Sequence, residues 1–265
     1  MKKYRNTSRK PSKMNQIFRK WPTGTVATQF WLTKQGVSSK LANWHLGSGW
    51  LVRFGPGAFI QPGDRVDWKG GLYALQSQLG MTVHAAGVTS LQLLGLSHFV
   101  PLGERNRVIL ISNQPEQLPA WFRKHSWEAD IKHHCLALFK SCPQKSTSEL
   151  DCGGFSVMIS SAERAIMEQI QLAGTNDDID HILQLMEGLT TLRPDIVQDL
   201  LENCRSVKVK RVFLWSAETT GQVWFKRLDL SRIKLGNGKR QIYKGGRFNW
   251  KYGITVPEQD NEPDL

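Results

Sequence analysis

Between Met1 and Gly63 the chain has no Asp or Glu, although it carries 11 Lys and Arg there. A surface so built cannot neutralise its cations internally, and it calls for a polyanionic partner. Cysteine is scarce: Cys135, Cys142, Cys152 and Cys204 are the four among 265 residues. That excludes a disulfide-built scaffold and indicates reduced thiols in a cytoplasmic protein. No apolar run approaches the roughly 18 residues that suggest a membrane span, so neither a transmembrane helix nor a membrane partner is expected. The opening MKKYRNTSRKPSK is basic but leads into no apolar segment, which argues against a secretory signal. Internal repeats and low-complexity tracts are missing as well. What is present is a globular share of apolar residues, 40%, with 10 Trp and 11 Phe to build a core.

The formal charge of +12 is unevenly placed. Residues 64–204 hold 11 basic and 17 acidic side chains, whereas 205–251 hold 13 basic and 2 acidic. Two basic ends around an acidic middle point to polyanion contacts at one end or both.

Local signals organise the first basic end. Ser12 is placed to cap a short helix with Met14, Ile17 and Phe18 on one face, stopped near Trp21-Pro22. Thr25 caps a second helix that turns Val26, Phe30 and Trp31 inward, and Gly36 ends it. Ser38 or Ser39 caps a third helix to about Leu46, with Leu41 and Trp44 inward and Ser39, Lys40 and Asn43 outward. The strand-like WLVRF and AFIQ flank Gly55-Pro56-Gly57, a hairpin signature. This order is that of a winged helix–turn–helix, whose third helix enters the major groove of double-stranded DNA. The missing carboxylates agree, since duplex DNA carries a phosphate charge about every 1.7 Å of its axis. The expected DNA-binding residues are Lys10, Thr28, Ser38, Ser39, Lys40, Asn43 and Arg53, with Lys2, Lys3, Arg5 and Arg9 in an N-terminal arm.

Residues 68–79 are expected to form a helix weakened by Gly70-Gly71. Strands are expected at RVILIS (107–112), CLALF (135–139) and FSVMIS (155–160), within a mixed region spanning 82–160. The chain then turns helical. Ser160 and Glu163 have capping-box spacing, and DDID suits a helix N-terminus. Pro194 suits the start of a helix, and VKRVFLWSAE and VWFKRLD suggest two more. The expected class is α+β: an N-terminal winged helix–turn–helix, residues 1–80, then a mixed α/β, largely helical C-terminal domain, residues 81–265.

Catalytic signatures are not found. His133, His134, Cys135, Cys142 and Cys152 invite a zinc reading, but their spacing fits no short knuckle, and a Cys in an apolar strand is ordinarily a small apolar side chain. LGNGKRQ (235–241) lacks the spacing of a phosphate-binding loop. A carboxylate nuclease needs an acidic residue followed closely by Lys in a central strand, and Asp151 before FSVMIS has none. No enzyme, cofactor or metal is expected.

The segments TSLQLLGLSHFVPLG, LPAWFRK, SSAERAIMEQIQLA, LMEGLTTLRPDIVQDLLENCRSVKVKRVFLWSAE and LGNGKRQIYKGGRFNWKYGITVP, in that order, resemble the AbiEi family. These are the antitoxins of type IV toxin–antitoxin (phage abortive infection) systems. The resemblance implies a DNA-binding winged helix joined to an antitoxin domain, and repression of its own operon through an inverted-repeat operator. It also implies a functional partner, a nucleotidyltransferase-like AbiEii toxin, counteracted without a stable complex. On that basis Lys208, Lys210, Arg211, Lys239, Arg240 and Arg247 are the expected antitoxin surface. The rival reading is a winged-helix transcriptional regulator whose C-terminal domain senses a ligand or oligomerises, with no toxin partner.

Overall fold

The computed structural model describes residues 13–97 and 107–258. The elements run α1 (Lys13–Phe18), β1 (Ala27–Thr28), α2 (Gln29–Lys34), α3 (Ser39–Gly47), β2 (Val52–Gly55), β3 (Ala58–Ile60), α4 (Trp68–Tyr73), β4 (His84–Ala85) and α5 (Gly87–Leu93). They continue as β5 (Arg107–Ser112), α6 (Ala120–Arg123), β6 (Asp130–Cys135), β7 (Thr147–Asp151) and β8 (Ser156–Ser160). Four longer helices follow, α7 (Ala162–Leu172), α8 (Asn176–Gly188), α9 (Pro194–Asn203) and α10 (Val207–Thr219), then β9 (Arg247–Asn249) and β10 (Ile254–Val256). The architecture is α+β. It divides into two compact units, one holding residues up to Met81 with Gln117–Glu128 and Asp151–Val157, the other the remainder. The expected domains 1–80 and 81–265 leave out these two later stretches of the first unit.

In the first unit the order of elements follows from local chemistry. Ala27 and Thr28 pair with Phe59 and Ala58 of β3, so α2 starts only at Gln29. Its cap is therefore Thr28, whose hydroxyl accepts from Trp31 N at 3.2 Å. Thr25, expected as the cap, instead donates its hydroxyl to the Pro22 carbonyl at 2.6 Å. Gly36 follows α2 with φ of 80°, a conformation that favours glycine. Ser38 then caps α3, its hydroxyl accepting from Leu41 N at 3.3 Å. The strands form an antiparallel sheet in the order β1–β3–β2. Trp21, Leu32, Val37, Ala42, Leu51 and Phe59 are buried together behind it, each large apolar side chain contributing about 1.5–3 kcal/mol.

The Gly70-Gly71 pair serves close packing rather than helix weakness. A Cβ on Gly70 would lie 1.9 Å from the Gly24 carbonyl oxygen. Helix α4 runs into a π-helical turn, Ala74–Gln78. There the Gln78 amide donates to Val26 O at 2.7 Å and accepts from Thr28 N at 2.8 Å, acting as a side-chain strand on the free edge of β1. On the hairpin, the Phe54 ring stacks on His125 with centroids 4.2 Å apart.

In the second unit, five strands run in the order β6–β5–β4–β8–β7. β5 and β6 are parallel and in register from Arg107↔Asp130 to Ser112↔Cys135. The strand expected at CLALF is thus displaced to Asp130–Cys135, because Leu138 and Phe139 leave the sheet for the helical core. That core is built by α7 to α10, and in α10 every residue from Val209 to Ala217 is buried. VWFKR at 223–227 forms a 3-10 turn, not a further helix. Pro194 does open α9, and Asp178 forms a capping box with Thr175 at the start of α8.

The expected box at Ser160 does not form. Ser161 occupies the cap position of α7, and Glu163 turns to Arg193, whose Nη2 lies 2.8 Å from its carboxylate. One turn on, Glu168 is sealed in the interior against Arg164 Nε at 2.6 Å and His84 Nε2 at 3.2 Å, with the Ser160 hydroxyl donating at 2.6 Å. Burial alone would raise its pKa. The Arg164 guanidinium, with His84 and Ser160, outweighs burial and holds it at about 2.

Candidate nucleic-acid interface

Helix α3 buries Ala42 and His45, with Leu41 and Leu46 half-buried beside them. That stripe differs from the one its spacing suggested. Trp44, expected inward, is 62% exposed. Ser39, Lys40 and Asn43 are exposed as expected. Burial pushes the His45 imidazole pKa down, and its ring packs edge to face against Trp44 with centroids 4.9 Å apart. The hairpin brings Arg53 to the same face, where its Nη2 donates to Asn43 Oδ1 at 3.2 Å. Phe30 of α2 is exposed, with the Lys34 ammonium 4.1 Å from its ring centre.

Of the residues expected to read DNA, Ser39, Lys40, Asn43 and Arg53 therefore come together as one exposed group of donors. Ser38 is exposed and spends its hydroxyl on the cap. Thr28 does not belong with them: it is buried, and its hydroxyl holds α2. Lys10 and the arm residues Lys2, Lys3, Arg5 and Arg9 lie outside the described residues. Trp44 is the residue the sequence reading missed, because its spacing from Leu41 is that of a buried pair.

The second basic set divides in two. Lys239, Arg240 and Arg247 are exposed. Lys208, Lys210 and Arg211, expected on the same surface, are not. Lys208 turns its ammonium to the Ala173 carbonyl, and burial pushes its pKa down. Lys210 is buried on α10. Arg211 is buried too, donating to the carbonyls of Leu235 at 2.9 Å, Gly236 at 2.9 Å, Gly238 at 2.6 Å and Gly253 at 3.1 Å. LGNGKRQ is thus a loop wrapped around a guanidinium. Helix burial overrides charge here because the loop carbonyls solvate the cation in place of water.

Among the described residues no three His, Cys, Asp or Glu gather to hold a metal. His133 lies 2.9 Å from the Ser112 hydroxyl instead. No helix among the described residues is long and apolar enough to cross a membrane.

Matches to known families span most of the chain. Residues 105–257 match the family described as "Transcriptional regulator, AbiEi antitoxin, Type IV TA system", and residues 10–102 match the "AbiEi antitoxin N-terminal domain" of transcriptional regulators. The chain belongs to the AbiEi antitoxin family. No curated protein matches it. A crystal structure of the RV2827C protein from Mycobacterium tuberculosis is similar to this AbiEi-family chain with a TM-score of 0.57 and 14% identity, covering 94% of this chain and 92% of the other. At that identity the likeness concerns the fold alone.

Family membership makes the AbiEi chain an antitoxin and transcriptional regulator of a type IV toxin–antitoxin system, which entails a toxin as its functional counterpart.

Proposed function

We propose that the chain represses its own operon by binding inverted-repeat operator DNA, and separately neutralises a nucleotidyltransferase-like AbiEii toxin. In this reading the first unit is a winged helix–turn–helix: α2, the Gly36 turn and α3 form the helical pair, and β2–β3 form the wing. One observation carries it. The exposed face of α3 joins Ser39, Lys40 and Asn43 to Arg53 of the hairpin, in a stretch without a carboxylate before Asp64. Such a face supplies donors and positive charge but nothing that repels phosphate, and a helix with its N-terminal turn free is the element a major groove admits.

The test is titration of the full chain with the duplex upstream of its own operon and with a scrambled duplex. Tight binding to the first, at least about a thousandfold above the second, is the expected specific regime. Equal affinity for both would remove the repressor claim. Neutralisation belongs in this reading to the exposed Lys239, Arg240 and Arg247. Reversing those three charges in the full chain should abolish growth rescue of toxin-expressing cells and leave operator binding intact. Rescue undiminished by the triple reversal would show that another surface neutralises the toxin.

A further inference from the structure

The β9–β10 hairpin carries aromatic surface that the core does not use. Phe248 stands opposite Thr255, on the face away from buried Ile254 and Val256. Trp250, at the start of the turn, is 79% exposed. The two rings meet edge to face with centroids 4.8 Å apart. The Lys239 ammonium lies 4.8 Å from the Trp250 ring centre and 5.1 Å from that of Phe248. From Leu230 to Pro257 the chain has seven Lys and Arg and no Asp or Glu.

This turn is held in place from below. Arg211 grips the Gly253 carbonyl at 3.1 Å, and the buried Tyr252 donates its hydroxyl to Glu218 at 2.9 Å. The exposed indole therefore sits on a fixed turn. At that exposure the indole buries little area for the fold, and with a cation against its ring it is a ready stacking surface.

We propose that Trp250, Phe248 and Lys239, flanked by Arg240 and Arg247, form a platform for unpaired nucleotides of RNA. The indole stacks on a base while the cations meet the flanking phosphates. A duplex keeps its base faces inside the stack and offers nothing for Trp250. Unpaired bases are standing features of RNA loops and ends, whereas duplex DNA must first be opened. The proposal deepens the antitoxin surface above and rests on that reading for its cellular role, while the binding itself is measured without toxin.

The experiment uses the full chain and a fluorescein-labelled, unpaired, mixed-sequence RNA of about 12 nucleotides, within the roughly 4–16 spanned by single-strand sites. Binding is followed by anisotropy and by quenching of tryptophan fluorescence. Trp250→Ala should weaken RNA binding about tenfold, Trp250→Phe should lose much less, and both should bind operator duplex as the parent does. Circular dichroism confirms the fold of each variant. RNA affinity unchanged in Trp250→Ala overturns the proposal, and so does an equal loss on duplex or tighter binding of the matching oligodeoxynucleotide. Growth rescue that persists in a Trp250→Ala chain unable to bind RNA would leave the platform standing and refute only its part in neutralisation.

Discussion

Arg53 donates through Nη2 to the side-chain oxygen of Asn43 at 3.2 Å, tying the hairpin to the middle of α3. Bidentate pairing of Asn with adenine uses both its oxygen and its nitrogen. A carboxamide oxygen has two lone pairs, so in the proposed reading Arg53 either orients that oxygen toward adenine while keeping its own bond or lets it go. Either way the two residues are coupled. Asn43→Ala should weaken operator binding about tenfold or more, in line with roughly 1–3 kcal/mol per good base contact, and barely change binding to random duplex. In a double-mutant cycle with Arg53→Ala the losses should fall short of additivity by at least about 0.5 kcal/mol. Equal losses on operator and random duplex would end the assignment of Asn43 to base reading.

In the proposed reading the arm supplies charge without reading sequence. Deleting residues 1–10 removes Lys2, Lys3, Arg5, Arg9 and Lys10. Each phosphate contact adds about 0.9 to the slope of log affinity against log salt. The deletion should flatten that slope and weaken operator and random duplex alike. A salt titration with an unchanged slope would show that the arm points elsewhere.

Arg211 and Arg240 should part company in an unfolding titration. Arg211 is buried under four backbone carbonyls. Hydrogen bonds to a charged donor contribute about 1.5–3 kcal/mol each, so Arg211→Met should cost at least about 3 kcal/mol. Arg240 is exposed, and Arg240→Ala should change stability by no more than about 0.5 kcal/mol. Similar urea midpoints for the two variants would contradict the role given to Arg211. A loss of neutralisation in an Arg211 variant would accordingly report unfolding of the loop, not a lost surface charge.

Glu168 sets an acid limit on the second unit. Its carboxylate is held at about 2 against burial by Arg164, His84 and Ser160. The folded chain thus binds this proton more weakly than the unfolded chain, whose carboxylates titrate near about 4.3. The stabilisation is present in full above that range and fades as pH falls toward 2. Glu168→Gln leaves Arg164 buried without its counter-charge and should cost about 3–5 kcal/mol at neutral pH. The gap between parent and variant in urea should narrow steadily below pH 4. A gap independent of pH would place the stabilisation elsewhere.

The sequence by itself determined those features that depend on neighbours a few residues apart. Ser38 before α3, Pro194 at the start of α9 and the Gly55-Pro56-Gly57 reversal were legible because capping, fixed φ and tight turns are local. The carboxylate-free first stretch was legible because charge is additive and needs no geometry. The outward set Ser39, Lys40 and Asn43 was legible too, although Trp44 beside them was not. Leu41 and Trp44 have the spacing of a buried pair, and only the packing of the first unit's core decides that the buried stripe runs through Ala42 and His45.

What the tertiary structure decided are contacts between residues far apart in the chain. Thr28 is taken from the surface by β3 and by Gln78, which lies 50 residues away. Arg211 is buried by carbonyls 24 to 42 residues further on, so a basic side chain in a basic segment becomes the anchor of a loop. Gln117–Glu128 joins the first unit because Phe54 stacks on His125 there, a pairing no periodicity announces. Composition and spacing state what a side chain is and which way its own helix or strand turns it. Whether a charge meets water or a ring of carbonyls is settled only when distant segments pack, because desolvation and its compensation are properties of the assembled neighbourhood.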